Sequence, residues 1–376
     1  MKNTKISVSL ITLALAFTSC GKDEVFEKPS LPSGTSYQSP DYTVNAVNAI
    51  AFVNQLDEMA ALAESVRTQG ITVTQQQMLD KFNVGNPSLR DFTTNFFTSL
   101  LEGNDGYFQS LQDASSGGLF TPGDTSNEGG YFEGRVFDER GKEPHELIDK
   151  GLYGAALYNY ATSFMNAEIR VEDVDKIIAL FGANPSFPNS GSTNAAQPDI
   201  NMANYAARRD KNDGNGLYTQ FRNSAITLRI AILAGSEYQD ERNAAIKALQ
   251  EAWEKANAAT IINYCHSAIA KFSMTNPTNA DMAAGLHSYS EGLGFMVGWR
   301  SIPQQFKMIS DNQIDAILVL MNAPVGEEAT SYTFVTDAVN QLPKLQSVIT
   351  ELKNIYGFSS QDIEDFKKNW VAEQGR

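Results

Sequence analysis

The sequence predicts an all-α fold, and three observations support this prediction. Apolar residues recur at spacings of three and four through most of the chain, which is the period of one face of an α-helix. Strand-like alternation between turn residues is nearly absent, so the usual ~20% of strand is not expected. Capping residues, Gly and Pro mark the ends of the periodic segments. We therefore expect packed helices with no sheet beyond a single hairpin.

The first half of the chain contains five predicted helices. Two begin at capping boxes, in which a Ser or Thr and the side chain three residues later bond each other's backbone N–H groups. A third begins with a proline, whose missing N–H needs no partner in the first turn of a helix. The five are Val44 to Val66 before Gly70, a helix after the Thr74–Gln77 capping box, Leu89 to Leu101 after the Ser88–Asp91 capping box, Pro144 to about Ala167, and Val171 to Phe181 before Gly182.

The second half repeats this pattern with six predicted helices. They are Leu217 to Ala234, Asp240 to Phe272, Asp281 to Arg300, Pro303 to Asn322, Pro343 to Tyr356, and Gln361 to Ala372. Two polar loops rich in Gly, Pro, Ser and Asn interrupt the helices, at Ser115 to Gly134 and at Gly182 to Asp199. Long loops of this kind in compact domains are usually functional or disordered.

The first nineteen residues have the three parts of a secretory signal. Lys2 and Lys5 precede the apolar run Ile6 to Phe17, which is too short to span a bilayer, and small polar residues lead to Cys20. A cysteine at this place resembles a lipobox, in which signal peptidase II cuts before the cysteine and the cysteine is acylated. We predict a lipoprotein signal peptide at 1–19 and lipidation of Cys20. The alternative is an ordinary signal with an incidental cysteine.

Residues 20–42 are rich in Pro, Ser and Gly and predict a flexible tether. Lys22-Asp23-Glu24 resembles the export tag of Bacteroidetes surface lipoproteins. No later segment is apolar for long enough to cross a membrane, so the expected membrane contact is the lipid anchor alone. We expect an outer-membrane lipoprotein in the cell envelope that is displayed on the surface.

The composition excludes some classes of partner. The net charge is −15, and removal of Lys2 and Lys5 with the signal makes it −17. A chain this acidic repels phosphate backbones, so nucleic acid is not expected as a partner. With Cys20 acylated, Cys265 is the remaining thiol, and no intramolecular disulfide is expected.

Several common catalytic and binding motifs are absent from the sequence. We find no G-x-S-x-G elbow, no H-E-x-x-H helix and no P-loop. The H-E-x-x-H motif fails at His145-Glu146, because its fifth residue is Asp149 and not histidine. The glycines at 292–298 lie inside a predicted helix and indicate close helix packing. The Asp/Asn/Gly segment 210–216 resembles a calcium loop but places Arg222 where a bidentate Glu is required, so it predicts a turn that caps the next helix.

Two histidines and a glutamate form the main metal-site hypothesis. His266 and His287 lie about ten residues on either side of the predicted turn at 275–279, so at ~1.5 Å per residue both are ~15 Å from it. In an antiparallel helical hairpin they would be level, and Glu291 shares a helical face with His287. Two imidazoles and a carboxylate suit zinc or iron. The alternative is three ordinary polar helix residues.

The spacing of His287 and Glu291 recurs in the first half of the chain. His145 and Asp149 lie in the context H-x-x-x-D-x-G-L, and His287 and Glu291 in H-x-x-x-E-G-L. An internal duplication of bundles would produce such a repeat. His145 and Asp149 are therefore further candidate site residues.

Four helical segments resemble, in the same order, those of an uncharacterised Bacteroidetes lipoprotein family of about four hundred residues, a domain of unknown function. They are Leu147 to Ala155 (LIDKGLYGA), Phe221 to Ala231, Trp253 to Tyr264, and His287 to Phe295. That family is similar to the imelysins. The resemblance implies two packed helical bundles, here a domain at 43–376 with halves at about 43–200 and 201–376. Where family members often carry His-Trp-Asp-Glu, residues 173–176 read DVDK.

Three functions remain open on the sequence. The first is a binding or accessory lipoprotein linked to uptake of iron or another nutrient, with outer-membrane uptake proteins as partners, as the resemblance implies. The second is a metal-dependent hydrolase of the imelysin peptidase type. The third is a purely structural surface protein. The first is preferred to the second because neither a clear metal motif nor an activated nucleophile is found.

Overall fold

Helices form 63% of the structure and strands 3%, which confirms that the fold is mainly α. The structure is a computed structural model and describes residues 28–191 and 198–376. Cys20 and the predicted signal peptide lie outside the described residues. Within them, no helix combines the length and the apolar character needed to cross a bilayer.

The described residues contain eighteen α-helices. Those of the first half are α1 (Tyr42–Asn45), α2 (Val47–Glu64), α3 (Gln75–Asn83), α4 (Leu89–Phe92), α5 (Asn95–Glu102), α6 (Tyr107–Ser116), α7 (Pro144–Leu152), α8 (Asn159–Thr162) and α9 (Val171–Phe181). Those of the second half are α10 (Asn201–Arg209), α11 (Leu217–Ala234), α12 (Gln239–Phe272), α13 (Asn279–Val297), α14 (Asp311–Leu320), α15 (Thr333–Thr336), α16 (Ala338–Tyr356), α17 (Ser360–Asp365) and α18 (Trp370–Gln374). A π-helix at Tyr153–Tyr158 joins α7 to α8, and a short 3₁₀ helix at Ser65–Arg67 follows α2.

Two capping boxes marked helix starts correctly, at Thr74 and Ser88, but the start at Ser310 and the helix interruptions were not predicted. The capping box of Thr74 and Gln77 starts α3 as predicted. The predicted helix from Leu89 to Leu101 is broken between α4 and α5, where the Thr94 N–H bonds the Ala155 carbonyl and the Thr94 hydroxyl caps α5. The predicted helix from Pro303 begins only at α14, because Ser310 caps that helix.

Three short strands form a sheet in and just after the first predicted polar loop. Strand β1 (Gly118–Leu119) pairs in parallel with β2 (Gly130–Phe132), which pairs antiparallel with β3 (Arg135–Phe137). The β2–β3 turn uses Glu133 and Gly134 at positive φ, as a tight hairpin turn requires. The hairpin agrees with the prediction, and the parallel strand β1 is an addition to it.

The last part of the predicted tether is held against the helices. The buried carboxylate of Asp175 on α9 accepts hydrogen bonds from the side chains of Tyr37, Ser39 and Asn45. Asp173 accepts a bond from the Arg170 N–H and so caps α9. Both acids of the DVDK segment therefore hold local structure.

The 34-residue helix α12 is the central element of the core. It packs on α10, α11, α13 and α16, and its Trp253 side chain is fully buried. Leu31–Arg376 form one compact unit, in which α7 of the first half packs on α13 of the second. The division into two bundle halves near residue 200 stays a prediction.

Glycines bring α7 and its π-helical continuation into close contact with α13. A Cβ atom on Gly298 would lie 2.2 Å from the Gly151 carbonyl oxygen, and one on Gly154 would lie 2.8 Å from the Gly298 carbonyl oxygen. A Cβ on Gly294 would lie 2.9 Å from the Glu146 carbonyl oxygen. The backbones can approach this closely only without side chains. The crossing places the start of α7 beside the middle of α13.

We predict that Gly298→Ala lowers the free energy of unfolding by about 1–3 kcal/mol, because the added methyl group meets backbone that can only move away. The matched control is Gly292→Ala in the same helix, where the nearest atom would be the Tyr264 Cβ at 3.3 Å. There the higher helix propensity of Ala, up to ~1 kcal/mol, opposes the tight contact. Urea unfolding of both variants measures the difference, and equal losses of stability would contradict the close crossing.

Candidate metal centre

Five ionisable side chains meet where α7 crosses α13. Glu143, His145 and Glu146 lie at the start of α7, and His287 and Glu291 lie one turn apart on α13. Four of them are at least nine-tenths buried, and the side chain of His287 is 20% exposed. We refer to these five residues as the carboxylate–imidazole cluster.

Local sequence fixes the position of each side chain. Pro144 is the first residue of α7, which leaves Glu143 at the N-cap with its N–H donating to the Ser290 hydroxyl at 2.9 Å. This bond ties the start of α7 to α13. The close approach at Gly294 holds the backbone of Glu146 against the same helix. Both helices therefore point their carboxylates and imidazoles into one small volume.

His287 is held by carboxylates at both ring nitrogens. Its Nδ1 lies 2.7 Å from Glu143 Oε2 and 3.4 Å from Glu146 Oε1, and its Nε2 lies 3.3 Å from Glu291 Oε2. A carboxylate bonded to one ring nitrogen fixes the tautomer and the ring orientation, as it does for histidines that bind metals. Glu143 is suited to this orienting role, and Nε2 then faces Glu291.

Two overlapping groups of atoms have metal-ligand spacing. Ligand atoms of Glu146, His287 and Glu291 lie within 4.8 Å of one another, and so do those of Glu143, His145 and Glu146. Ligands at ~2.1 Å from one ion lie at most ~4.2 Å apart, so small movements would close either group. The first group borders a cavity through which an ion can arrive, and Glu143 does not line that cavity. We therefore favour Glu146, His287 and Glu291 as the ligand set.

His145 shows that the cluster is not a set of satisfied hydrogen bonds. Only 4% of this residue is exposed. Its Nδ1 lies 3.5 Å from Glu143 Oε1 and its Nε2 lies 3.0 Å from Glu146 Oε1, but neither nitrogen is aligned for a hydrogen bond. Charge, and not an aligned hydrogen bond, therefore holds this buried imidazole between the two glutamates.

Three permanently charged side chains surround the cluster. Arg67, just after α2, lies 2.7 Å from Glu146 and 3.4 Å from Glu143. Lys150 pairs with Asp149 and lies 3.4 Å from Glu146. Arg135 of β3 approaches Glu143 at 3.6 Å. These cations offset part of the cost of burying the carboxylates.

The pKa values of the three glutamates diverge. For Glu143, burial raises the pKa, but His145 and His287 lower it by more than burial raises it, so the net shift is downward. For Glu146, burial is outweighed by Lys150 and His145, and its pKa falls well below the usual value. For Glu291, burial and the charge of Glu146 raise the pKa. Glu143 and Glu146 are therefore ionised at neutral pH, as ligands and their supporting carboxylates must be.

The cavity beside the cluster has a volume of about 340 Å³. Its wall carries more acids than bases, with five carboxylates against Arg67 and Lys150. Such a wall concentrates cations and repels anions. The carboxylates are Asp57, Glu64, Glu146, Asp149 and Glu291.

The structure brings some of the sequence-predicted site residues together and separates others. His287 and Glu291 are adjacent as predicted. His266 belongs to no metal-ligand group among the described residues, although α12 and α13 do pack as neighbours. The charged groups that act on it are Lys367 and Glu364. His145 and Asp149 line the same cavity, but His145 contacts glutamates and Asp149 pairs with Lys150.

Sequence reasoning missed three residues of the site. Glu143 and Glu146 flank His145 in the sequence, and the dense acid–imidazole run Glu143-Pro144-His145-Glu146 was the available signal. Arg67 is separated from these residues by more than seventy positions and has no local signal. The segment 210–216 is structural, since Asp210 accepts bonds from the Asn212 and Thr219 N–H groups and so caps α11.

No protein-family model matches the chain, and neither a curated protein nor a solved structure matches it. The resemblance to the imelysin-like Bacteroidetes lipoproteins therefore stays a prediction. The functional interpretation depends on the geometry of the carboxylate–imidazole cluster and on the N-terminal sequence.

We predict that, in the metal-free protein, His145 is protonated at a higher pH than His266. Burial lowers the pKa of His145, but Glu143 and Glu146 raise it more, so its net shift is upward. Burial, and then Lys367, lower the pKa of His266. His145 thus stabilises the fold below pH ~6.5 and loses that contribution as the pH rises through its folded pKa. The protonated form of His266 is instead disfavoured by folding.

Two-dimensional NMR of the imidazole rings measures this order. The chain has three histidines, so single His→Gln variants assign each signal. The spectra are recorded in the presence of a chelator. Protonation of His266 at a higher pH than His145 would contradict the geometry of the cluster.

Proposed function

We propose that this protein is a lipid-anchored cell-envelope protein that binds a divalent transition-metal ion through Glu146, His287 and Glu291. The single observation that carries the proposal is the spacing of these three ligand atoms, all within 4.8 Å, at the wall of an acidic cavity. The buried imidazole of His145 lies in the same cluster, with Nε2 at 3.0 Å from Glu146 Oε1.

The donor set favours particular metals. Two carboxylates and one imidazole suit iron, manganese or zinc, and they do not suit Cu(I), which prefers sulfur ligands. Glu143 at 2.7 Å from His287 Nδ1 supplies the outer carboxylate that orients a metal-binding imidazole. Tyr205 donates to Glu291 at 3.3 Å and restrains the second carboxylate ligand.

A binding or accessory role agrees best with the electrostatics. The acidic cavity attracts a free cation and disfavours anionic substrates. The resemblance to imelysin-like lipoproteins suggests that the ion is iron or another nutrient metal, delivered to or received from outer-membrane uptake proteins. The envelope location is inferred from the signal and the lipobox-like segment that ends at Cys20.

A metal-dependent hydrolase is the second candidate, and one observation favours it. Three protein ligands beside a cavity of about 340 Å³ leave coordination positions open for water and a substrate. Hydrolysis of ester or amide substrates by the metal-loaded protein, lost in a His287→Ala variant, would support this second function over simple binding.

We predict that purified protein retains one divalent metal ion per chain and that His287→Ala abolishes this retention, because the imidazole ligand is lost. The matched control is His266→Ala, which removes a histidine outside the cluster and should retain the metal. Plasma emission spectrometry after loading with iron, manganese or zinc measures the stoichiometry. Binding should also weaken as the pH falls, because protons compete with the metal for its ligands.

Two outcomes of the same measurement would contradict the proposal. A stoichiometry near zero in the wild type would leave a purely structural role. Equal loss of metal in the His266→Ala and His287→Ala variants would place the site elsewhere. Circular dichroism of each variant shows whether the helices are retained.

We predict that Cys20→Ala releases the protein from the membrane fraction, because the acylated thiol is the expected anchor. Fractionation of cells that express the wild type and the variant measures this, with labelling by palmitate as a direct readout. A variant that stays in the membrane fraction would show that the attachment does not depend on Cys20.

A further inference from the structure

We infer that Arg67 sets the charge selectivity of the site, because its positive charge weakens the binding of trivalent metals more than the binding of divalent metals. This inference rests on the proposed metal binding and adds a specificity-determining residue to it. Arg67 is not a ligand, and its role follows from its contacts and from the charge balance of the cluster.

Arg67 reaches the cluster from outside the two helices that carry the ligands. It ends the 3₁₀ helix after α2, and its side chain is 26% exposed. Its Nη2 lies 2.7 Å from Glu146 Oε1 and 3.4 Å from His287 Nδ1. Its Nε and Nη2 both lie 3.4 Å from Glu143 Oε1, and its Nη1 pairs with Glu64 at the rim. The guanidinium therefore contacts one proposed ligand and the carboxylate that orients another.

These contacts are compatible with a bound ion. A carboxylate oxygen has two lone pairs, so Glu146 can accept a hydrogen bond from Arg67 while it binds a metal. While Nη2 of Arg67 contacts Glu146, its Nη1 also pairs with Glu64. We therefore infer that the guanidinium stays in place when the ion binds and contributes its charge to the site.

The charge balance explains why this contribution matters. The ion pairs of the cluster join five carboxylates to three permanent cations, which sum to two net negative charges before the imidazoles and Asp57 of the cavity wall are counted. The charge of Arg67 offsets part of this negative charge beside Glu146 and His287, and it opposes a bound cation in proportion to the charge of that cation. The carboxylates are Glu64, Glu143, Glu146, Asp149 and Glu291, and the cations are Arg67, Arg135 and Lys150.

Removal of Arg67 would change this preference in a defined direction. The site would carry one more net negative charge than it does in the wild type. Repulsion from a fixed charge is proportional to the charge of the ion, so its removal favours a trivalent ion more than a divalent one. Loss of a positioning contact alone would weaken both ions to a similar extent.

The experiment compares Mn²⁺ and Tb³⁺ binding to the wild type and to Arg67→Gln, which keeps polar side-chain donors and removes the charge. Free Mn²⁺ is measured by electron paramagnetic resonance, and bound Tb³⁺ by luminescence sensitised through tyrosine, with Tyr205 close to Glu291. We expect the ratio of Tb³⁺ to Mn²⁺ affinity to rise at least tenfold in Arg67→Gln. Tenfold corresponds to about 1.4 kcal/mol.

Three further variants keep the inference testable. Arg67→Lys retains the charge and should keep a ratio close to that of the wild type. Glu64→Gln removes an acid whose side chain is 57% exposed, so folding should be unaffected and the ratio should fall. Arg90→Gln makes the same charge change at an ion pair with Glu102, outside the cluster, and should leave the ratio unchanged.

The outcomes separate the inference from the proposed function. Absence of Mn²⁺ binding by the wild type would overturn the proposed function itself. Normal Mn²⁺ binding with an unchanged ratio in Arg67→Gln would overturn the role of Arg67 alone. If Arg67→Gln does not fold, the Glu64→Gln variant decides. A lower ratio of Tb³⁺ to Mn²⁺ affinity in that variant would support the inference, and an unchanged or higher ratio would overturn it.

Discussion

The close crossing of α7 and α13 is the constraint on which the rest of the site depends. Gly154, Gly294 and Gly298 let the two backbones touch, because a Cβ atom on any of them would lie within 2.9 Å of a carbonyl oxygen of the opposing segment. Beside this contact, ligand atoms of Glu146, His287 and Glu291 lie within 4.8 Å of one another. The bond from the Glu143 N–H to Ser290 fixes the register of the two helices at the same point. Helix packing and the chemistry of the cluster are thus set by the same residues.

Stability alone does not explain this concentration of buried charge. Replacement of buried ion pairs by apolar residues of similar volume is often neutral or stabilising, because each ion loses its hydration. Here three glutamates and a histidine are at least nine-tenths buried at one crossing, and the histidine has no aligned hydrogen-bond partner. A cluster that costs free energy and stays incompletely paired is typical of a site shaped by binding.

The sequence predicted what depends on local periodicity and failed where distant contacts decide. The capping box at Thr74 gave a correct helix start, but the break at Thr94 depends on a bond to Ala155, sixty-one residues away in the chain. For the site, His287 and Glu291 were found because their spacing of four is a local property of a helix. Spacing from a turn does not fix the direction in which a helical side chain points, and His266 faces the region of Lys367.

Arg67 shows why the net charge of such a site cannot be predicted from sequence patterns. Its charge acts on Glu143 and Glu146 only because the end of α2 lies beside the start of α7, a contact set by the packing of the whole fold. The same three ligands with a different number of neighbouring cations would carry a different net charge. The identity of the ligands determines which metals can bind, and the surrounding charges determine which charge of the metal ion is tolerated in a mostly buried site. Metal preference is therefore a property of the tertiary structure around the ligands as much as of the ligands themselves.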